Sequence, residues 1–291
     1  MVEAYALSSG WGRPWPAPAK LNLMLRIVGR RPDGYHLLQT VFQFVELCDL
    51  ITFNPRSDGV VTLAKPLPGV PVDQDLTVRA AKLLKEVTGF SGGVDINVEK
   101  YLPMGGGIGG GSSDAATTLV MLNALWGLGL GESELLPLAL RLGADVPVFV
   151  YGRSAWAEGV GENLTAVDLP QPWYVVLVPD CQVSTQRVFA RDDLTRNSEN
   201  ITIDDFLSGQ ARNDCASVVR NLYGDVDRAL RDLSAFGEAR LTGTGACVFA
   251  AFDSLADARQ AVGSLERRWR AYVTKGVNRS PLYRELLRAT S

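Results

Sequence analysis

Six of the seven residues from Gly105 to Gly111 are glycine, and no other stretch of the 291-residue chain limits its fold so strongly. Glycine removes the Cβ that would hold an anion away from the main chain, and it permits the positive φ values by which successive N–H groups turn toward one point. An alternating strand pattern comes before the run, with Val94, Ile96 and Val98 set between Asp95, Asn97 and Glu99. An uncharged stretch rich in Leu, Val and Met, Ala115 to Gly131, comes after it. Strand, glycine loop and helix N-terminus in that order make a phosphate cradle, because the helix adds the positive end of its dipole. Ser112, Ser113 and Asp114 are placed to give that helix its N-cap. A hinge or tight turn would need one or two glycines.

The kind of cradle is narrowed by what is missing. No Lys-Ser or Lys-Thr pair follows the glycines, so the loop is not a Walker A motif. Gly105, Gly107 and Gly110 satisfy G-x-G-x-x-G, but no acid stands between Asp114 and Glu132 to hold a ribose. H-R-D and D-F-G are absent, which excludes the protein-kinase set. The uncharged stretch after the loop reaches only the lower limit for a membrane span and is interrupted by Thr117, Thr118, Asn123, Gly127 and Gly129. A buried helix is expected, and no membrane partner.

Charge and composition remove further classes. Lys and Arg number 29 against 32 Asp and Glu, a net charge of −3, which leaves no basic excess for a nucleic acid polymer. His36 is the one histidine, so multi-histidine metal centres are excluded. Cys48, Cys181, Cys215 and Cys247 stand far apart, and the first residues show no basic segment followed by an apolar run. Both point to a cytoplasmic protein.

Lys20 to Ile27 alternates polar and apolar residues as a half-buried strand does, which sets Lys20 and Asn22 on one face. Gly29 to Gly34 is turn chemistry, and Leu37 to Phe53 returns as extended chain. Residues 75 to 87 have helical spacing closed by Gly89, and Glu132 to Leu142 is a second helix stopped at Gly143. Strands are expected at 173–178, 246–252 and 271–277, with helices between about 186 and 235 and from 255 to 269. Strands and helices mix without a steady βαβ rhythm, so the class is α+β. With 46% hydrophobic residues, the length supports two domains, divided at 1–165 and 166–291.

Pro103-Met104-Gly105-Gly106-Gly107-Ile108-Gly109-Gly110-Gly111-Ser112-Ser113 resembles the loop that binds ATP phosphates in the GHMP kinases. Three more segments are similar to that family in the same order: Pro18 to His36, Leu142 to Phe149 and Leu241 to Phe249. The resemblance spans most of residues 16 to 280 and leaves the first fifteen without an assigned role. It implies an N-terminal ATP-binding domain like ribosomal protein S5 and a C-terminal ferredoxin-like α/β plait. It also implies ATP with Mg²⁺, and a branch of the family whose small-molecule acceptor is a cytidine diphosphate methylerythritol, working as monomer or homodimer.

Residue by residue, the resemblance implies that Asp145 accepts the acceptor's hydroxyl proton and that Lys20 orients it and steadies charge. The residues alone agree in part: Val146-Pro147 should extend the chain beyond the helix stop, leaving Asp145 among apolar neighbours and partly desolvated unless a cation meets it. The resemblance implies that Tyr35 and Phe189 stack a cytosine, that His36 reads its edge, and that Asn22 reaches the polyol hydroxyls. Thr244 and Gly245 would close the cleft from the second domain, and Lys100 would lie near adenine. Asp75 stands where asparagine is commoner, which argues against a contact to adenine there. Ser112 or Ser113 could bring a hydroxyl to Mg²⁺. A binding-only nucleotide module and a GHMP kinase with another acceptor remain as alternatives, with a nicotinamide oxidoreductase behind them.

Overall fold

The computed structural model describes residues 10–290. In chain order its first half comprises β1 (Pro14–Arg30), β2 (His36–Arg56), β3 (Val61–Leu63), α1 (Leu76–Thr88), β4 (Gly93–Glu99), α2 (Gly110–Leu125), α3 (Glu132–Leu142), α4 (Val146–Tyr151), β5 (Ala155–Glu158) and β6 (Asn163–Ala166). The second half comprises β7 (Trp173–Val178), α5 (Thr185–Phe189), α6 (Ile203–Leu207), α7 (Ala216–Leu222), α8 (Gly224–Ser234), β8 (Arg240–Leu241), β9 (Val248–Phe252), α9 (Leu255–Leu265), β10 (Arg270–Val277) and α10 (Pro281–Thr290).

The long hairpin of β1 and β2 organises the first half. Beyond β1, the start of β2 pairs with β5 and its end with β4, whose other edge takes β3 in parallel. Helix α2 is apolar all round and is buried from Ser113 to Leu125, the pattern of a central helix. It packs on β1 and β2 and against α1, α3 and α4, which is why it carries no charge beyond Asp114. No helix among the described residues is long and apolar enough to cross a membrane.

In the second half β7, β8, β9 and β10 pair antiparallel in the order β10-β7-β9-β8, with α5 to α8 after the first strand and α9 after the third. This is the β-α-β-β-α-β plait of ferredoxin-like domains. The two halves are continuous, since Gly276 and Val277 of β10 pair with Val45 and Phe44 of β2. Cores are exchanged as well: Leu282, Tyr283 and Leu286 of α10 return to the first core, and Leu25 and Ile27 of β1 enter the second. A cut between 165 and 166 falls inside β6.

Three local expectations are corrected. The first strand begins at Pro14 and is buried on nearly its whole length rather than on one face, because α2 covers one side and the 242–247 segment meets the other. Helix α2 starts at Gly110 behind Gly109 in the left-handed region, and no side chain caps it. Ser112, Ser113 and Asp114 thus sit inside the first turns. Val146-Pro147 opens helix α4 instead of extending, since proline in a first helical turn gives up an N–H that had no partner to lose.

Candidate active site

Two cavities meet at the glycine loop. One, of about 800 Å³, is lined by Lys20, Asn22, Tyr35, His36, Phe189 and Thr244 among others. A second, of about 440 Å³, is lined by Asp75, Lys100, Pro103, Met104 and the six glycines between 105 and 111. Gly105, Gly107, Ser112 and Asp145 belong to both walls.

The loop is shaped by its glycines. Gly107 has φ +73°, and a Cβ there would stand 2.5 Å from the Thr242 carbonyl oxygen. Gly109 has φ +79°, and a Cβ would meet the Phe149 ring at 2.6 Å and the Lys20 stem at 3.2 Å. The Ile108 side chain is buried among residues of β1, β2, β7 and β9, and its carbonyl accepts from the Lys20 N–H at 3.0 Å. From the second domain, Cys247 N–H donates to the Gly106 carbonyl at 3.0 Å and the Thr242 hydroxyl to that of Gly107 at 3.3 Å. The expected closure by the 242–245 segment is therefore a direct seam onto the loop. With Ser113 N–H bonded to the Gly109 carbonyl, the N–H groups of Gly110, Gly111 and Ser112 have no partner within the helix and no capping side chain. Open amides and a close-approach backbone fit a polyphosphate.

Lys20 is 2% exposed, and its Nζ donates to Asn22 Oδ1 at 2.5 Å and to the Gly107 carbonyl at 3.2 Å, with Asp145 Oδ2 at 3.3 Å. Its Nζ also stands 5.2 Å from the centroid of the Phe42 ring. Register shifts between Pro18 and Lys20 and between Asn22 and Met24 flank this pair, and such bulges re-aim side chains. Asn22 Nδ2 donates to Thr40 Oγ1, and Asn22 N–H donates to Thr242 Oγ1. The expected desolvation of Asp145 is reversed: its side chain is 42% exposed, and the lysine is the buried member. A buried ammonium is tolerated only with partners, and here there are three.

Lys100 stands between two buried carboxylates. It ion-pairs with Asp49 and, at 2.7 Å, with Asp114 Oδ2. Asp49 Oδ1 also accepts from the Tyr101 and Leu102 N–H groups at 2.6 and 2.8 Å, tying β2 to the segment entering the loop. Burial drives the Asp114 carboxyl up to about 7 despite Lys100. Burial opposes the charge on Lys100, but Asp114 and Asp49 outweigh it and raise its pKa. Ser113 is fully buried, whereas Ser112 lines both cavities. Asp75 caps α1, accepting from the Thr77 and Val78 N–H groups.

The far end of the larger cavity holds Tyr35, His36 and Phe189. Phe189 stacks on His36 itself, with centroids 4.6 Å apart and planes at 26°, while Tyr35 is 63% exposed. The turn that carries Tyr35 is exposed from Arg31 to Asp33 and leaves that residue largely in solvent, whereas α5 brings Phe189 against the start of β2. Thr244 Oγ1 lies 2.8 Å from Thr185 Oγ1, beside Gly245 in the same wall.

Residues 75–153 match the N-terminal domain of GHMP kinases, and residues 191–271 match the C-terminal domain. The chain belongs to the GHMP kinase family. It is 56% identical over 268 residues to a protein of Nitrosococcus oceani named 4-diphosphocytidyl-2-C-methyl-D-erythritol kinase, covering 92% of this chain and 96% of that one. Identity to the protein of the same name from Methylococcus capsulatus is also 56%, over 93% of this chain and 94% of the other. A crystal structure of 4-(cytidine 5′-diphospho)-2C-methyl-D-erythritol kinase superposes with a TM-score of 0.78 at 33% identity, over 91% of this chain and 99% of that one. The mevalonate kinase of Methanococcus jannaschii, at 16% identity, 92% and 99% coverage and a TM-score of 0.67, shares the fold.

Within this GHMP kinase, sequence reasoning passed over Thr40, Asp49, Thr185 and Arg196. Asp49 had a readable signal, since an acid directly followed by the apolar run Leu50-Ile51 in a strand calls for a partner if it is buried. Arg196 had none, because its role depends on a fold that returns it to His36 from 160 residues away.

Proposed function

We infer that the chain transfers the γ-phosphoryl group of ATP to the 2-hydroxyl of 4-(cytidine 5′-diphospho)-2-C-methyl-D-erythritol, a step of the non-mevalonate route to isoprenoid precursors, in the cytoplasm. The observation that carries the reading is Asp145 on the wall shared by both cavities, 3.3 Å from a buried lysine and beside the glycine loop. A donor in the smaller cavity and an acceptor in the larger one would meet there.

In this reading the amides of Gly110 to Ser112 bind the phosphate chain. Asp145 takes the hydroxyl proton as the new O–P bond forms and the bond from the γ-phosphorus to the bridging oxygen breaks, releasing ADP. Lys20, held by Asn22 and the Gly107 carbonyl, faces the charge that builds on the moving group. Among the described residues no group of three or more His, Cys, Asp or Glu could hold a metal. Ser112, on the wall of both cavities, would help hold Mg²⁺ beside the nucleotide phosphates, where the ion would neutralise phosphate charge.

ADP release with ATP and Mg²⁺ tests the reading, comparing the cytidine-diphospho methylerythritol with galactose, homoserine and mevalonate. Turnover with the first alone is expected. Release with another acceptor and none with the first would overturn the assignment.

A further inference from the structure

The geometry points to Arg196 as the residue that fixes which ring nitrogen of His36 carries the proton, and through it as the positioning residue that selects cytosine over uracil. The inference rests on the acceptor reading above and adds its base selectivity. Arg196 lies in the chain between α5 and α6 and is not itself part of the cavity wall.

Its Nε stands 3.3 Å from His36 Nε2, and its remaining nitrogens donate to the carbonyls of Phe189 (2.9 Å), Arg191 (2.6 Å) and Leu194 (3.2 Å). A guanidinium has only donors, so the imidazole nitrogen facing it must present a lone pair. A neutral imidazole that accepts at Nε2 carries its hydrogen at Nδ1. The ring is also held neutral, since burial, then Arg196, then Arg30 lower its pKa from 6.5. The same guanidinium fixes the carbonyl of Phe189, whose ring lies on the histidine. One side chain thus sets both the plane of the imidazole and its tautomer.

His36 lines the acceptor cavity, and with Nε2 engaged it has the Nδ1–H donor left for a ligand. Cytosine offers an acceptor at N3, whereas uracil carries a hydrogen there. Donor against donor leaves two polar groups unpaired in a partly dry site, a strong ground for rejection.

His36 is the one histidine in the chain, so protein labelled with ¹⁵N-histidine gives a single imidazole spectrum. The wild type is expected to show the Nδ1–H tautomer. In Arg196→Met that preference should be lost and the imidazole pKa should return toward 6.5. With ATP as donor, KM for the cytidine acceptor should rise about tenfold with kcat held within about twofold, and preference over the uridine analogue should fall by a similar factor. Arg196→Lys, which keeps a cationic donor, should restore part of both. A purely structural anchor would raise KM for both nucleotides alike and leave the tautomer in place.

An Nε2–H tautomer in the wild type, or a cytidine-to-uridine ratio unchanged in the folded variants, would overturn the proposal. If Arg196→Met does not fold, the wild-type spectrum and Arg196→Lys decide it. Absence of wild-type turnover with the cytidine acceptor would instead defeat the acceptor reading, while the spectrum still reports on the arginine and histidine.

Discussion

The two ends of the active cleft are built differently. At the phosphoryl end, Lys20 and Asn22 are almost wholly buried, the glycine loop is seamed to the second domain, and Lys100 ties β2 to α2. At the base end, an exposed turn carries Tyr35, and the five-residue helix α5 carries Phe189. Burial fixes geometry where charge must be met at short range, and in the proposed reading the acceptor would be received by more exposed parts. The contrast predicts that substitutions at the phosphoryl end reduce turnover, while those at the base end weaken acceptor binding.

The largest effects are expected at Lys20 and Asp145. Asp145→Asn removes the proposed proton acceptor and Lys20→Ala the proposed facing cation, and each should lower kcat by on the order of 10²–10⁴. Steady-state kinetics under saturating substrates measure this, and near-normal turnover in both variants would erase the proposed division of labour. Lys20→Ala leaves Asn22 Oδ1 and the Gly107 carbonyl without their donor, so its turnover is compared on protein whose circular dichroism matches that of wild type.

Next in size is the loop itself. Gly107→Ala places a Cβ 2.5 Å from a carbonyl of the second domain in a backbone with positive φ, so either the loop or the seam must shift. A displacement of this order can reduce kcat/KM for ATP by about 10²-fold. Gly105→Ala is the control, because nothing lies within 4 Å of its Cβ although φ is +69°. There only backbone strain of about 1–2 kcal/mol is expected. Equal losses in the two variants would show that strain, not the seam, governs the loop.

Smaller effects belong to the base end. Phe189→Ala removes the ring stacked on His36 and should raise the acceptor's KM by about tenfold, since an aromatic stack contributes roughly 0.5–1.5 kcal/mol beyond the area it buries. The same change at exposed Tyr35 should raise it less, with kcat unaltered in both. A fall in kcat at either position would mean that the base end also positions the reacting hydroxyl, and the contrast between the two ends would fail.

The same contrast explains what could be read from the sequence. Elements with a strong local signal were legible: the central helix from its lack of charge, the plait strands from apolar runs, the cradle from glycines that few other structures need. The partners of Lys20 were legible only in part, because Asn22 shares its strand face while the Gly107 carbonyl reaches it through folding. The solvent access of Asp145 was misjudged, since apolar neighbours in sequence become the buried face of α4 and leave the carboxylate at the rim. Arg196 and Asp49 act across 160 and 51 residues respectively. No periodicity marks such pairs.

The smallest effect concerns what braces the phosphoryl end. Asp114 titrates near 7 in the fold against 3.8 in the unfolded chain, because burial disfavours its charge more than Lys100 supports it. Between about pH 4 and 7 the folded state therefore binds more protons at this site than the unfolded state does. Stability contributed here falls as pH rises through that window. Asp114→Asn removes the titration, so the melting temperature of the variant relative to wild type should climb steadily from about pH 4 to pH 7. Thermal melts at intervals of half a pH unit measure it. A flat or falling difference would mean that the Lys100 bridge outweighs the burial of Asp114, and that the brace gains strength from its charges instead of enduring them.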